Sequence, residues 1–181
     1  MKHSRKRNRL LALVVLLGVL FGSSLASADD WKLTGSGLRV KTIASAEFAV
    51  YDIAHYVKGS VAQRTKQSVI DADTSKRFVW TMRREVGHDT MRATLRQAFT
   101  ANGYSDANKV GLFLGAFQSA LKENQWVTID YDTDKKETTL RIEGSSAVTI
   151  HGIDFMKAVW SIWFGRIDQP KLGDQLIAKL P

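Results

Sequence analysis

Apolar residues along this chain recur first at every second position and later at every third or fourth. Leu38 to Ile43 reads as a short strand entered through the flexible Gly35-Ser36-Gly37. Glu47 to Val57 reads as a longer one, with Phe48, Val50, Ala54 and Tyr56 alternating against Ala49, Tyr51, Ile53, His55 and Val57. Both of its faces are largely apolar, which predicts a strand covered on two sides. Arg77 to Arg84 alternates cleanly, and places Phe78, Trp80, Met82 and Arg84 on one face. The period then lengthens. Asp89 opens a predicted helix carrying Met91, Leu95, Ala98 and Phe99, which Asn102-Gly103 ends. Ser105 or Asp106 caps a second, with Val110, Phe113, Phe117, Ala120 and Leu121 on its apolar side. Gly111 and Gly115, four apart, are expected to let a neighbouring element approach closely. Trp126 to Tyr131 and Thr138 to Glu143 flank a polar turn and predict a hairpin. Ala147 to Ile150 is a further strand, Asp154 starts a helix over Phe155 to Phe164 that Gly165 stops, and Pro170 opens a last helix bearing Leu172, Leu176 and Leu180. Strands, then helices, then a hairpin and more helices predict an α+β fold, an antiparallel sheet covered by helices.

Residues 1–28 follow a different pattern. Lys2, Arg5, Lys6, Arg7 and Arg9 precede an apolar run from Leu10 to Gly22, and small residues end in Ala26-Ser27-Ala28. This is the three-part order of a secretory signal, and the 13-residue apolar run is short of the ~17–25 residues of a membrane-spanning helix. Cleavage after Ala28 is expected, leaving residues 29–181 as one domain without linker or repeat, in the periplasm. Membrane contact is expected only through the leader, if uncleaved. The leader also accounts for most of the charge. The whole chain carries +8 from 26 basic and 18 acidic residues; without the five leader cations, 21 basic residues face 18 acidic ones, a net of +3. Nucleic acid is therefore not an expected partner.

Most local chemistry signatures are missing. Cysteine is absent, which excludes disulfides, thiolate metal sites and cysteine nucleophiles. His55, His88 and His151 are not spaced to chelate a metal together. Asp130, Asp132 and Asp134 imitate a calcium loop, but Lys135 stands where its glycine belongs and Arg141 where its glutamate belongs, so a hairpin turn is expected. No dinucleotide loop or nucleophile elbow is present. No metal and no cofactor are expected. Two features remain. Trp31, Trp80, Trp126, Trp160 and Trp163 are core packing or ligand walls. Arg84, in line with apolar neighbours, is either a rim residue paired with Glu85 or Asp89, or a carboxylate receptor in an apolar cleft. Arg39 poses the same question.

Gly35-x-Gly37-x-Arg39, followed by Phe48-x-Val50-Tyr51 and Tyr56, resembles the opening of the chalcone isomerase-like superfamily, especially its exported bacterial members. Arg84-Glu85-Val86, the run from Asp154-Phe155 to Ile162-Trp163-Phe164-Gly165, and the closing leucine helix extend the resemblance over nearly all of residues 31–181. It implies an open-faced β-sandwich, a large antiparallel sheet covered by a layer of helices. The superfamily includes enzymes that cyclise chalcones and non-catalytic fatty-acid-binding proteins. Carried over by motif, the enzymes' arginine matches Arg39 and their threonine falls at Tyr51. Their tyrosine falls at Met91, their asparagine at Ala98, and their late serine or threonine at Met156.

Methionine and alanine cannot donate a hydrogen bond to a developing enolate. What the resemblance leaves is an apolar cleft walled by Met91, Ala98, Met156 and the tryptophans, with Tyr51 nearby and Arg39 or Arg84 as anchor. Such a cleft suits a fatty acid or similar hydrophobic carboxylate held without covalent chemistry. The alternative is an intramolecular lyase or isomerase acting on a substrate other than chalcone, with Tyr51 moving the proton and Arg39 stabilising an oxyanion. The sequence assigns no oligomeric state.

Overall fold

The computed structural model describes residues 30–181, so the expected leader and its cleavage site at Ala28 lie outside the described residues. Six strands run in chain order as an antiparallel meander: β1 (Lys32–Ile43), β2 (Ala46–Val57), β3 (Lys76–Met82), β4 (Trp126–Asp132), β5 (Glu137–Ile142) and β6 (Val148–His151). Between them lie α1 (Lys66–Asp71), α2 (His88–Ala101) and α3 (Ala107–Gly115), and after them α4 (Ile153–Phe164) and α5 (Pro170–Leu176). Among the described residues no helix is long and apolar enough to cross a membrane.

The period-two pattern decides which face of the sheet is covered. Phe78, Trp80 and Met82 of β3, Val127, Ile129 and Tyr131 of β4, and Leu140 and Ile142 of β5 are all buried on one side. The other side is polar and open, and Arg77 and Arg141 both pair there with Asp130, Arg141 at 2.6 Å. This corrects the expectation that β2 is covered on two sides. Tyr51, Ile53, His55 and Val57 are buried, whereas Asp52, Ala54 and Tyr56 are half-exposed, because the helices all lie on one face.

The covering layer is held at both ends. Gly35 and Gly37 let α5 lie on β1: a Cβ at Gly35 would stand 2.1 Å from the Gln175 carbonyl, and one at Gly37 would stand 2.7 Å from Leu172 Cδ1. The glycine motif is therefore a packing requirement. In the core, His55 is fully buried. Trp160 Nε1 donates to its Nε2 at 2.9 Å, which leaves its proton on Nδ1, 2.6 Å from Thr34 Oγ1, and that hydroxyl passes its own proton to the Leu176 carbonyl at 2.7 Å. Burial, with the nearby Lys76 charge, holds His55 well below the usual histidine range, so the ring is neutral and structural.

Helix α1 has no counterpart in the sequence reading, although Thr65 caps it by accepting from Ser68 N at 3.1 Å. Lys76 closes its other end. This buried ammonium donates to the carbonyls of Val69, Ile70 and Ala72 at 2.6, 3.2 and 2.8 Å. Helix α3 is shorter than expected, because Leu121 leaves the helical path to bridge Val86 with two 2.9 Å backbone hydrogen bonds. The expected close approach at Gly111 and Gly115 does not occur, since a Cβ at either would meet nothing within 4 Å.

Candidate functional site

A cavity of about 730 Å³ opens between α2, the end of α4 and the free ends of β1 and β2. Three local features create it. First, β1 and β2 run past β3 as a two-stranded ribbon, since β3 pairs with β2 only from Tyr51 to Val57. Second, the ladder slips where Arg39 pairs with Tyr51 and Val40 with Ala49. Val50 is the extra residue, and the bulge lets Val50 and its neighbour Tyr51 both face the cavity. Third, α2 presents Met91, Thr94, Leu95 and Ala98, which are too small or too flexible to fill the space.

The slip also exposes the Val40 N–H, and a side chain from the loop after α4 satisfies it. Gln169 Oε1 accepts from Val40 N at 2.9 Å and from Arg39 Nη1 at 3.2 Å, while Gln169 Nε2 donates to the Leu38 carbonyl at 2.9 Å. Its neighbour Asp168 pairs with Arg39 at 2.6 Å and Lys41 at 2.8 Å. Burial works to raise the Asp168 carboxyl, but the bond from Lys41 and the charge of Arg39 outweigh it and hold the group below the ordinary carboxylate range. Arg39 is thus only 7% exposed, buried in the cavity wall and already matched by an acid.

Tyr51 lies beside it. Its hydroxyl accepts from Trp163 Nε1 at 3.0 Å, and its ring stacks on Trp80 with centroids 4.8 Å apart. Burial raises its pKa, opposed by the Trp163 bond and the Arg39 charge, so the phenol keeps its proton at neutral pH. That proton has no acceptor among the described residues, which leaves a neutral donor on the cavity wall beside Arg39.

The structure therefore brings Arg39, Tyr51, Arg84, Met91 and Ala98 around one cavity. Arg84 sits there differently from the expectation. Strand β3 ends at Met82 and the chain turns outward, so Arg84 is exposed at the mouth, with its guanidinium over the Phe48 ring, 5.1 Å from the centroid. It pairs with neither Glu85 nor Asp89; Glu85 meets Lys122 instead at 2.8 Å. The placement of Met156 as a wall is corrected. It lies in the first turn of α4, fully buried and away from the cavity, and the helix reaches the cavity only near its end, through Ile162 and Trp163. Trp163 is seven residues on, the same helix face two turns later. The tryptophan walls reduce to this one residue. Trp80 and Trp160 are fully buried in the packed core, Trp126 is 40% exposed, and Trp31 lies against Arg77 and Lys58.

Asp168, Gln169 and Arg166 escaped the sequence reading. The polar pair before Pro170 was visible, but only the fold brings it to β1, about 130 residues earlier. Among the described residues no three His, Asp or Glu side chains gather where a metal ion could sit.

Comparison with known proteins follows this geometry. The chalcone isomerase-like family model matches residues 20–176. A solved structure with the same fold is a fatty-acid binding protein of Arabidopsis thaliana, 14% identical, with a TM-score of 0.66 over 82% of this chain and 87% of that one. No curated protein matches the sequence.

Proposed function

This chain belongs to the chalcone isomerase-like family, and from that premise we propose that it is an exported, non-catalytic binding protein for a fatty acid or similar hydrophobic carboxylate. The observation that carries the reading is the cavity itself. Its volume falls within the roughly 300–1,000 Å³ of small-molecule sites, Met91, Leu95, Ala98 and Ile162 give it apolar walls, and its polar lining includes Tyr51, the uncharged Thr90, Thr94 and Gln97 of α2, and a set of cations. Met91 and Ala98 supply no hydrogen bond where the family's enzymes place donors. One such donor is worth on the order of 10²–10³ in rate, so the loss of two argues against cyclisation. The ligand of the Arabidopsis neighbour is of the class proposed here, which supports the reading. Export rests on the order of basic, apolar and small residues up to Ala28.

The test is direct. Organic extracts of the natively purified protein, analysed by mass spectrometry, are expected to contain a long-chain acid in near-stoichiometric amount, and the stripped protein to rebind palmitate. An empty extract together with no palmitate binding refutes the reading. The unaccepted Tyr51 proton beside Arg39 favours one second reading, an intramolecular lyase or isomerase. Turnover of an enone that disappears in Tyr51→Phe would establish it.

A further inference from the structure

Arg39 and Asp168 both line the cavity, and the two partners of this ion pair are held very differently. Arg39 is buried and fixed from two further sides, its Nη1 donating to the Val40 carbonyl at 3.0 Å and to Gln169 Oε1 at 3.2 Å. The Asp168 side chain is 48% exposed. Only its Oδ1 accepts from Arg39, through Nη2 at 2.6 Å, while its Oδ2 takes the Lys41 ammonium at 2.8 Å. A guanidinium fork can hold both oxygens of one carboxylate, and here it receives one. The Tyr51 hydroxyl stands on the same wall, close enough for the Arg39 charge and a hydrogen bond to act on it, with its own proton unaccepted.

An acid that reaches Arg39 from the cavity therefore competes with a carboxylate already in place. Asp168, half in solvent, can leave by a side-chain rotation. It then keeps Lys41, which is equally exposed, and Gln169 still ties the loop to β1 through Val40 N and the Leu38 carbonyl. The exchange strands no buried charge, because the incoming carboxylate takes over the guanidinium. The newcomer has both oxygens free for Arg39, and the Tyr51 proton is a further donor on that wall. We propose that Asp168 is an internal counter-carboxylate, which holds Arg39 until the head group of a bound acid replaces it. This deepens the proposed function and rests on it. It makes Asp168 a specificity-determining residue: affinity for an acid is the difference between two carboxylates on one guanidinium, whereas an uncharged head leaves the pair untouched.

Displacement of the neutral dye Nile red from the purified protein by palmitate and by 1-hexadecanol, an uncharged ligand of the same chain length, isolates the exchange. Asp168→Asn keeps the side-chain shape and removes the competing charge. Palmitate is then expected to bind about three- to tenfold more tightly, between the range of a solvent-facing ion pair and that of a charge-assisted hydrogen bond, while hexadecanol changes by less than about twofold. If Asp168 only pins its loop, the substitution acts on both ligands alike, and a palmitate-to-hexadecanol affinity ratio that stays level or falls overturns the proposal. In the wild-type protein the side-chain carboxyl carbon resonance of Asp168 is expected to move on saturation with palmitate and to stay in place with hexadecanol. A resonance unmoved by palmitate overturns the proposal without recourse to any variant. Failure of both proteins to bind either ligand instead removes the reading beneath it.

Discussion

The two ends of the space between sheet and helices are built from the same strands and the same helix α4, yet one is solid and the other hollow. At the solid end Phe78 meets Trp160, Trp163 and Phe164 with centroids 5.1, 4.6 and 5.7 Å apart, and His55, Thr34 and Lys76 have their polar atoms bonded. At the hollow end the last turn of α4 faces Met91, Thr94 and Ala98 of α2 across the cavity. Trp163 belongs to both, with its ring in the core and its indole N–H on Tyr51 at the cavity wall. Backbone layering is shared, so side-chain volume decides. Large rings close one end to interior packing density, whereas small and flexible groups on α2, with the Val50 bulge, leave the other open.

That contrast is open to three tests. The largest effect is expected at the solid end. Trp160→Ala removes a fully buried indole and strips His55 Nε2 of its donor, and is expected to destabilise the fold by about 3–5 kcal/mol in urea titration. A cost below about 1 kcal/mol would show that this end is not tightly packed. The next test fills the hollow end. Ala98→Phe projects a ring into existing space, so palmitate affinity is expected to fall at least about tenfold while stability changes by less than about 1 kcal/mol. Unchanged binding would mean the tail does not lie along α2.

The smallest effect concerns a pin under the solid end. Asp73 accepts from Tyr131 at 2.7 Å, under the solid end, and pairs with Lys136. The Lys136 bond, then that of Tyr131, lowers its carboxyl to about 2. A carboxyl lowered in the folded state contributes stability that is complete above its unfolded value of about 4 and is lost as the pH falls through about 2. Asp73→Asn is therefore expected to be less stable than wild type at pH 7, with the gap closing between about pH 4 and pH 2, and palmitate affinity at pH 7 unchanged. A gap independent of pH would assign the cost to lost packing rather than to the charge.

Much of the fold was legible because its signals are local. Alternation in β3 and β4, the Asn102-Gly103 stop, the cap at Asp106, the Gly165 stop and Pro170 each act within a few residues, and each stands at or next to the boundary it predicted. Helix α1 was missed because its six residues are too few to show a period, and its C-terminal carbonyls are capped by Lys76 from β3. Arg84 was read as a strand residue because alternation continues past Met82, but the strand partner does not. Met156 was placed on the correct face of its helix at the wrong level, since a helical period fixes direction and not depth.

Sequence alone determined that Phe78, Trp80 and Met82 of β3 share one face, that an antiparallel sheet would be covered by helices, and that the chain resembles the chalcone isomerase-like family. The tertiary structure decided which inward residues touch one another and which face an empty space. It also decided that Asp168, far along the chain, neutralises Arg39 at the cavity wall. The reason is range: hydrogen-bond periodicity and capping act over a few residues, whereas pairing of charges and filling of volume depend on segments that only folding brings together.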